Sequence, residues 1–426
     1  MIDIVALRED KTPVLDSLKR RGREKDSVLL DEVLVLDAQW REAKGSLDGL
    51  RRERNVASQN INKAKKAGKD AQEAILEAKR LSQAVSEQEV FVEELFSKRE
   101  KLLLALPNTL ADEVPSGASE EENVERAVFG EPIVHDFEVK NHAELLEDLG
   151  LVDFDASRRT SGNGFFFLKG SLALLDQALQ QYAIDVMLKH GFELIKPPYM
   201  LREEIIRGVI DADHFAESIF SIKDQDLHLI GTSELSLLGM LTDTEIDVRN
   251  APIKLVGVSP CFRQEIGSHG IDEKGLFRTH QFEKIEQIVV CSPEESYAWF
   301  DKLLEMTTEI FTSLGIPIRH LEMCTGDLGM LKHRQFDIEA WSPRRKEYFE
   351  VVSCSNLTDA QARRLNIRLV QPDGTRVVAH TLNNTAIATS RAMVAIVENF
   401  QNKDGTVDIP QVLHPYMRGV TKFEKK

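Results

Sequence analysis

The feature that most constrains the fold is a heptad repeat of mostly apolar residues near the start of the chain. Its positions alternate spacings of four and three residues along 29–64, and a second series does the same along 74–102. This spacing keeps one stripe of side chains on the side of a helix that packs against a partner helix. A short break containing Gly68 separates the two series. The pattern therefore predicts an antiparallel coiled-coil hairpin over about residues 27–104, with arms about 50 Å long.

Two arginines, Arg54 and Arg99, occupy seam positions of this hairpin. An arginine in an apolar seam must either extend its guanidinium to solvent or pair with an acid. The sequence leaves both arrangements open, and nothing in the pattern explains why the seam contains them.

The far half of the hairpin is basic, although the chain as a whole is acidic. Residues 41–80 contain 11 Lys and Arg against 6 Asp and Glu, a net charge of +5 within a chain of net charge −16. The total argues against indiscriminate binding of nucleic acid, but a local patch is what contacts a phosphate backbone. The arm is therefore either a solvated coiled-coil face or a grip for nucleic acid.

Composition divides the chain into three parts. Pro107 ends the second arm, because proline cannot continue a helix. Residues 107–128 are rich in turn formers and glutamate, which is typical of a linker. From Phe129 onward short apolar runs alternate with turns, as in a mixed α/β body. We expect an N-terminal helical domain at 1–106, a linker at 107–128 and a body at 129–426.

Several features indicate the compartment. No apolar run approaches the roughly 18 to 20 residues of a membrane span, and the start MIDIVALRED lacks the pattern of a secretory signal. The four cysteines form no CxxC pair, which argues against a disulfide framework and a clustered zinc site. A cytoplasmic protein that does not associate with membranes is expected.

The body contains a predicted ribbon of two β-strands, one ending at Phe262 and the other starting at Arg278, joined by a polar loop. Because alternate side chains share a face of a strand, one face groups Arg263 with Glu265, and the return strand groups His280, Phe282, Lys284 and Glu286. A cation, an aromatic ring and carboxylates over one patch of sheet would suit a nucleotide.

Each of these features also has an ordinary structural interpretation. The tripeptide Thr232-Ser233-Glu234, which follows a predicted strand at 227–230, is common. An arginine at a strand end is usually a surface residue, and a phenylalanine on a strand is usually core. Only their joint occurrence at these spacings favours a binding site.

The C-terminal part adds a further cation. A strand is predicted for EYFEVVSCSN, which starts at Glu347. A buried helix is predicted for LNNTAIATSRAMVAIVENF, beginning with capping residues and with Arg391 about two turns inside. A buried arginine needs a partner, and the nearest downstream acid in this segment is Glu398, seven residues on. Either a ligand phosphate or a structural salt bridge elsewhere would serve.

Taken together, these motifs resemble a known family. The helix–strand–proline segment ending at Pro198, the FRxE and RxHQFxKxE ribbon and the helix with Arg391 resemble the three signature motifs of class II aminoacyl-tRNA synthetases. Thr232-Ser233-Glu234, HQFEKIE, the segments from Glu350 and Ser355, and the hairpin are similar to those of seryl-tRNA synthetases, in the same order along essentially the whole chain. The resemblance implies an α+β fold, with an antiparallel β-sheet catalytic domain flanked by helices and preceded by the hairpin.

The resemblance also implies roles for individual residues. The serine-binding residues would be Thr232, Ser233, Glu234, Arg263, Glu286 and Thr385. The ATP-binding residues would be Arg263, Gln264, Glu265, Thr279, Phe282, which would stack on adenine, Glu350, Val351, Val352, Ser353 and Arg391. Arg263, Arg391 and Glu350 would be catalytic, and Glu350 and Ser353 would hold Mg²⁺. These last two are three residues apart, so on a regular strand they face opposite ways; either a bulge intervenes or the strand ends before Ser353.

The implied activity is a serine–tRNA ligase. ATP and L-serine would form seryl-adenylate, and the serine would pass to tRNA(Ser) and, as the family suggests, to tRNA(Sec). The hairpin would grip the long variable arm of the tRNA, and the segment of Pro198 would form a homodimer. Rival interpretations are a class II synthetase for threonine or proline, a synthetase-like protein that acylates a carrier protein, and a non-catalytic coiled-coil scaffold. The hairpin argues against the first two, and the joint set of site residues argues against the last.

A few positions depart from the commonest pattern of the family. Glu273-Lys274 stands where many members have Thr-Arg, Asn384, Ala386 and Ser390 stand where glycines are frequent, and Gly164 replaces a usual arginine. These replacements are similar to the archaeal branch of the ordinary enzyme, and they leave the details of tRNA contact open. The signature of the zinc-dependent branch is not visible.

Overall fold

The computed structural model describes residues 1–68, 70–211, 218–265 and 275–425. The chain forms two compact units, Ile2–Pro107 and Asn108–Lys426, the latter joined by Met1. No helix in these described ranges combines the length and the hydrophobicity that a membrane span requires.

The first unit is helical, and its long helices pack as an antiparallel pair. Its helices are α1 Ile4–Glu9, α2 Thr12–Arg20, α3 Ser27–Lys66 and α4 Gln72–Ala105, with a 3-10 turn at Glu24–Asp26. The amide of Gln88 on α4 donates to the carbonyl of Ala43 on α3 at 2.9 Å, and Arg51 pairs with Glu89 at 2.8 Å. The predicted hairpin is thus confirmed. At 1.5 Å per residue, α3 is about 60 Å long, somewhat longer than predicted.

The predicted seam is correct over most of its length. Its buried members are Val33, Ala43, Leu47, Ala57, Leu81, Val85 and Leu95. Near the start of α3, however, Leu30 and Asp37 are buried on either side of Val33, where Leu29 and Leu36 were predicted. At these two positions the buried residue is the one after the predicted seam residue, and Asp37 belongs to an ion pair.

That ion pair explains one of the two seam arginines. The Nη1 atom of Arg99 donates to Asp37 at 3.0 Å, and its guanidinium lies 4.4 Å from the ring centroid of Trp40. Arg41 also donates to Asp37, at 3.0 Å. Arg99 is therefore paired inside the seam, whereas Arg54 is partly exposed.

The second unit is built on one large mixed sheet. Among the described residues its strands are β1 Val124–Phe129, β2 Val152–Asp153, β3 Phe167–Leu168, β4 Glu193–Ile195, β5 Met200–Leu201, β6 His228–Leu229, β7 Glu245–Asp247, β8 Ile253–Phe262, β9 Gln281–Cys291, β10 Ile318–Glu322, β11 Arg334–Ser342, β12 Glu347–Thr358, β13 Arg368–Val370, β14 Arg376–Val378, β15 His380–Ala388, β16 Val407–Asp408 and β17 Lys422–Phe423. The main sheet has the order β1-β10-β11-β12-β15-β9-β8-β4. Its neighbours are antiparallel except for β4 and β8, which are parallel.

Helices cover this sheet on both faces. Their bounds are α5 His142–Asp148, α6 Phe154–Thr160, α7 Ser171–Lys189, α8 Glu203–Val209, α9 Glu234–Gly239, α10 Ser296–Ser313, α11 Ala360–Arg364 and α12 Thr389–Asn399, with 3-10 turns at Glu120–Glu122, Val248–Asn250, Pro293–Glu295 and Gln411–Tyr416. One core includes Ile285 and Val289 of β9 with residues of α7, α10 and α12. Another includes Ile288 and Val290 with residues of α8, α9 and α11. The antiparallel α+β architecture is confirmed.

The alternation along β9 places the candidate site. Phe282, Lys284 and Glu286 have the same parity as Ile288 and Val290, so they lie on the second face of the sheet.

One predicted helix is partly wrong. Residues 380–388 form β15, which pairs with β12 on one side and β9 on the other. Pairing with two neighbours outweighs the capping tendency of the asparagines, because it satisfies backbone groups on both sides of the strand. The helix α12 begins only at Thr389, so Arg391 lies in its first turn and not two turns inside.

Candidate active site

The predicted ribbon sets the position of the first cation. β8 and β9 pair in register from Ile253 opposite Val290 to Phe262 opposite Gln281. Arg263 follows directly, and its backbone N–H donates to the carbonyl of His280 at 3.0 Å. Its Nε donates to the carbonyl of Gly231 at 3.2 Å, and its Cζ lies 5.4 Å from the ring centroid of Phe282. The cation and the aromatic ring therefore meet as predicted.

A β-bulge brings Glu350 and Ser353 to the same side. On β12, Glu350 is opposite Glu339 and Val352 is opposite the adjacent Ile338, so Val351 is the additional residue. One extra residue reverses the alternation of side chains. Of the two alternatives considered from the sequence, the bulge is correct, since the strand continues to Thr358.

Arg391 is paired with this bulged strand. Its Nη1 donates to the carboxylate of Glu350 at 2.9 Å and to the backbone carbonyl of the same residue at 2.8 Å. The Arg391 side chain is 26% exposed. The salt bridge therefore forms with Glu350, 41 residues earlier in the chain, and not with Glu398 of the same helix.

These residues surround one cleft. The cavity that they enclose has a volume of about 140 Å³ and is partly open to solvent. The predicted residues that line it are Arg263, Glu265, Thr279, Phe282, Glu350, Val351, Val352, Ser353, Thr385 and Arg391. The other lining residues are Phe277, Arg278, Lys284, Ala388 and Ser390.

A buried polar group adjoins this cleft at Thr385. Glu286, which is 1% exposed, accepts hydrogen bonds from Asn383 at 2.6 Å and from Thr385 at 3.3 Å. It also forms an ion pair with Lys284. Glu286 is therefore held by a network that reaches the cleft through Thr385.

The remaining predicted serine-binding residues surround a second buried acid. Gln361 donates to Glu234 at 2.8 Å, and the backbone N–H of Glu234 donates to Thr232 at 3.3 Å. Among the described residues, the Ser233 hydroxyl has no hydrogen-bond partner, and a Cβ at Gly257 would lie 2.6 Å from it. Thr232, Ser233, Glu234 and Gln264 are not among the residues that line the cleft.

Gln264 has a structural contact. Its side-chain amide donates to the carbonyl of Ile219 at 2.6 Å, and its backbone N–H donates to that of Ser218 at 3.0 Å. Both groups thus hold the neighbouring segment, so a direct role of this side chain in binding ATP stays a prediction.

The charges around the cleft shift the pKa values of its carboxyl groups in opposite directions. Desolvation raises the pKa of Glu350, but the charge and hydrogen bond of Arg391 outweigh this effect and lower it below its usual value. Burial raises the pKa of Asp337, and the charge of Glu350 raises it further. Burial also raises the pKa of Glu234, with a contribution from Glu286. Glu350 therefore keeps its negative charge, which pairs with Arg391.

Sequence reasoning grouped Lys284 with Phe282 and Glu286 on one face of the strand, but assigned it no role. It did not assign Asn383 and Gln361 to the site. Nothing in the sequence marks Asn383 or Gln361, because each contacts a residue far away in the chain. Asn383 is 97 residues from Glu286, and Gln361 is 127 residues from Glu234.

Two of the unusual positions have structural explanations. Asn384 donates to Gln287, to the carbonyl of Leu303 and to Thr307 at 2.9, 2.8 and 2.7 Å, so it ties the sheet to α10. Gly164 has φ +79°, and a Cβ there would lie 2.4 Å from the ring of His280, so a larger residue does not fit this backbone. Glu273-Lys274 lies outside the described residues.

Comparison with known proteins identifies the class of this site. Residues 219–400 match the family model of the tRNA synthetase class II core domain (G, H, P, S and T). The sheet and its cleft are therefore those of a class II aminoacyl-tRNA synthetase.

The family within this class follows from the whole chain. Residues 1–110 match the family model of the seryl-tRNA synthetase N-terminal domain. The chain is 46% identical to the serine–tRNA ligase of Methanospirillum hungatei over 419 residues, which cover 98% of this chain and 99% of the relative. The chain belongs to the seryl-tRNA synthetase family, as the sequence motifs predicted.

Solved structures agree with this assignment. The seryl-tRNA synthetase from Pyrococcus horikoshii complexed with ATP has a TM-score of 0.90, 40% identity and complete coverage of both chains. The cytoplasmic serine–tRNA ligase from Naegleria fowleri in complex with AMP has a TM-score of 0.86 and 32% identity, covering 100% of this chain and 99% of that one.

Proposed function

We propose that this chain activates L-serine with ATP and transfers the seryl group to tRNA(Ser). The observation that carries the proposal is the cleft in which Arg263, Phe282 and Arg391 lie together, with the buried Glu286 attached through Thr385. Two cations suit a triphosphate, the ring suits a base, and the buried carboxylate suits a small polar amino acid. The ATP named with the Pyrococcus structure supports the first of these ligands.

In the first step, the serine carboxylate attacks the α-phosphorus of ATP in line. A bond forms between the carboxylate oxygen and phosphorus, and pyrophosphate leaves with the electron pair of the broken P–O bond. Because a carboxylate is already a nucleophile, no general base is required. Arg263 and Arg391 would position the phosphates and stabilise the charge that develops on them.

In the second step, the terminal ribose hydroxyl of the tRNA attacks the carbonyl carbon of the mixed anhydride. The seryl ester forms as the bond between the carbonyl carbon and the phosphate oxygen breaks. AMP leaves with that electron pair, and its phosphate can accept the proton of the hydroxyl. The roles of Arg263, Arg391 and Glu350 in these steps are part of the proposal.

Magnesium fits the corner of the cleft beside Arg391. Carboxylate and hydroxyl oxygens are the donors that a hard cation prefers, and the bulge at Val351 turns Glu350 and Ser353 to the same side. These two residues would hold the ion. When bound, it would offset the negative charge of the phosphates.

Selection of serine would depend on buried polar groups. Alanine leaves such groups without a partner for its missing hydroxyl, so a pocket built for a hydroxyl rejects it strongly. Threonine has to be refused by shape, which is a weaker filter. Thr232, Ser233, Glu234, Arg263, Glu286 and Thr385 are the proposed serine-binding set.

The division of labour along the chain is also a proposal. Residues 1–106 would bind tRNA and residues 129–426 would carry the chemistry. The predicted linker 107–128 belongs to the second unit from Asn108 onward and contributes most of β1 to its main sheet. Basic residues of the far half of the hairpin, including Arg52, Lys63, Lys66 and Lys79, are exposed, which supports contact with a phosphate backbone. Charging of tRNA(Sec) depends on the family resemblance alone.

A homodimer is proposed from the segment around Pro198. Large apolar side chains are exposed there: Leu188 is 47%, Leu194 44% and Met200 47% exposed. Exposed apolar side chains of this size would suit a surface that a partner covers. Molar mass by light scattering would test this; a monomer at micromolar concentration would contradict it.

We also propose a cytoplasmic location, for which the four cysteines, all free thiols, are suited.

One assay tests the function. ATP–pyrophosphate exchange is measured with each amino acid, followed by charging of total tRNA. Exchange that depends on serine and charging of serine tRNAs are expected. Exchange with threonine or proline, or acylation of a carrier protein without tRNA charging, would favour the rival enzymes.

A further inference from the structure

A buried histidine and glutamate lie behind the wall of the cleft. His142 is the first residue of α5 and is 0% exposed, and Glu398 of α12 is 1% exposed. The Nδ1 atom of His142 lies 3.5 Å from the Glu398 carboxylate, which also accepts hydrogen bonds from Ser342 and Arg344. Burial raises the pKa of Glu398, but the hydrogen bonds from His142 and Ser342 outweigh it and lower that pKa. The carboxylate is therefore held as an anion by three donors.

The other side of the His142 ring holds the segment that forms the cleft wall. The backbone N–H of Leu276 donates to Nε2 of His142 at 3.2 Å. Since Nε2 accepts, the proton of the neutral ring is on Nδ1, which faces Glu398. The backbone at Gly275 fits closely against the same atom: its φ is +82°, and a Cβ there would lie 2.6 Å from Nε2.

The residues after Leu276 line the cleft. Phe277, Arg278 and Thr279 all belong to its wall. At the far end of this segment, the backbone N–H of His280 donates to the carbonyl of Gly164 at 2.8 Å. The wall residues thus extend between two fixed points, His142 at one end and the start of β9 at the other.

The contacts close into a ring that returns to α12. The Phe277 ring centroid lies 5.4 Å from the guanidinium of Arg391, and Arg391 precedes Glu398 by seven residues on that helix. From Glu398 through His142 and Leu276 to Phe277 and Arg391, each residue contacts the next. A shift of the Leu276 backbone would therefore move the wall relative to the cation.

We propose that His142, oriented by Glu398, is a positioning residue that fixes residues 276–279 for the binding of ATP. The identity of the nucleotide as ATP rests on the proposed function. The proposal adds His142 and Glu398 to the residues that influence ATP binding, although neither lines the cleft and both act only through the wall residues. Loss of the buried hydrogen bond to Leu276 should weaken ATP binding about tenfold.

The test compares substitutions that keep different halves of the contact. In His142→Ala, we expect the KM for ATP in serine-dependent exchange to rise about tenfold, with the KM for serine changed less than about twofold. His142→Gln should restore the KM for ATP to within about threefold, because its amide oxygen reaches the position of Nε2. His142→Asn ends at the position of Nδ1 and should not restore it. The control is His320→Ala, which removes a partly buried ring that bonds Thr308 and lies outside the cleft; its KM for ATP should be unchanged.

Two further measurements keep the outcomes separate. Calorimetric binding of a non-hydrolysable ATP analogue to each variant needs no turnover, so it tests the positioning even if wild-type exchange with serine fails and the proposed function is wrong. If His142→Ala does not fold, Gly275→Ala can be used in its place. It perturbs the same contact from the backbone side and should also weaken nucleotide binding. Unchanged affinity for the analogue in folded His142→Ala, or an equal loss in His320→Ala, would overturn the proposal.

Discussion

Removal of the Glu286 carboxylate should weaken serine activation and, separately, destabilise the fold. Glu286 is 1% exposed, pairs with Lys284 and accepts from Asn383 at 2.6 Å. In Glu286→Ala, the buried ammonium of Lys284 loses its acid, which costs about 3–5 kcal/mol of folding free energy. Loss of a charged hydrogen-bond partner for the substrate costs a further 1.5–3 kcal/mol or so, or about 10- to 150-fold in kcat/KM.

A second substitution separates these effects. Glu286→Gln keeps the oxygen that accepts from Asn383 and fills the same volume, so it should be more stable than Glu286→Ala. It still lacks the charge, so serine-dependent exchange should stay at least tenfold or so below wild type. Glu305→Ala, an exposed acid on α10, is the matched control and should keep full exchange and stability.

The assay is ATP–pyrophosphate exchange over a range of serine concentrations, with thermal unfolding of each variant beside it. The reasoning fails if folded Glu286→Ala exchanges with serine at the wild-type rate. It also fails if Glu286→Gln regains full activity, since the charge would then not matter.

Three further changes are expected to have specific effects. Arg391→Met should raise the KM for ATP and make folding less sensitive to acid. The lowered pKa of Glu350 stabilises the fold above the unfolded pKa, and this stability is lost as the pH falls through the lower folded pKa. Unfolding in urea from pH 6 to 3 would detect the difference, and an unchanged pH profile would contradict the pairing. The double substitution Lys63→Glu and Lys66→Glu should weaken tRNA charging, lower the salt dependence of tRNA binding by a slope of about 1.5 and leave exchange unchanged; equal loss of exchange and charging would contradict a separate tRNA-binding arm. Glu283→Gln should stabilise the fold above neutral pH but not at pH 4. Burial, with the nearby Asp176, raises the pKa of Glu283 to about 7, so the stability that its protonation contributes is present below the unfolded pKa and lost as the pH rises through 7. Melting curves at both pH values would show whether the difference between variant and wild type disappears in acid.

The hairpin and the ribbon could be predicted from the sequence because their signals are repetitive. The heptad continues over many turns, so one irregular position such as Asp37 shifts the stripe locally without changing the fold. The ribbon follows a period of two, and its register places Gly257 opposite Glu286 and Cys261 opposite Phe282. In both elements the same spacing recurs at many positions, so each position supports the same prediction.

The strand β15 could not be predicted because its evidence lies elsewhere in the chain. Asn383 and Asn384 have the composition of a helix cap, but their side chains donate to Glu286 and Gln287 on the neighbouring strand. The bulge at Val351 likewise exists only relative to β11. Such contacts between distant segments have no local signal, and they decide which side chains enter the cleft.

The pairing of Arg391 explains how the cleft can be ordered before a ligand arrives. Within the described part of the chain, the guanidinium hydrogen bonds to the carboxylate and the carbonyl of Glu350 both use Nη1. An arginine has five N–H donors in a rigid plane, so this arrangement fixes the orientation of the group. Among the described residues no hydrogen bond uses Nη2 or Nε, and in the proposed function these donors would bind an anion. In the proposed function Glu350 would have two compatible tasks: one oxygen would orient the arginine, and the other would help to hold a cation. A lysine at this position could supply the charge but could not be held at one nitrogen and bind through another.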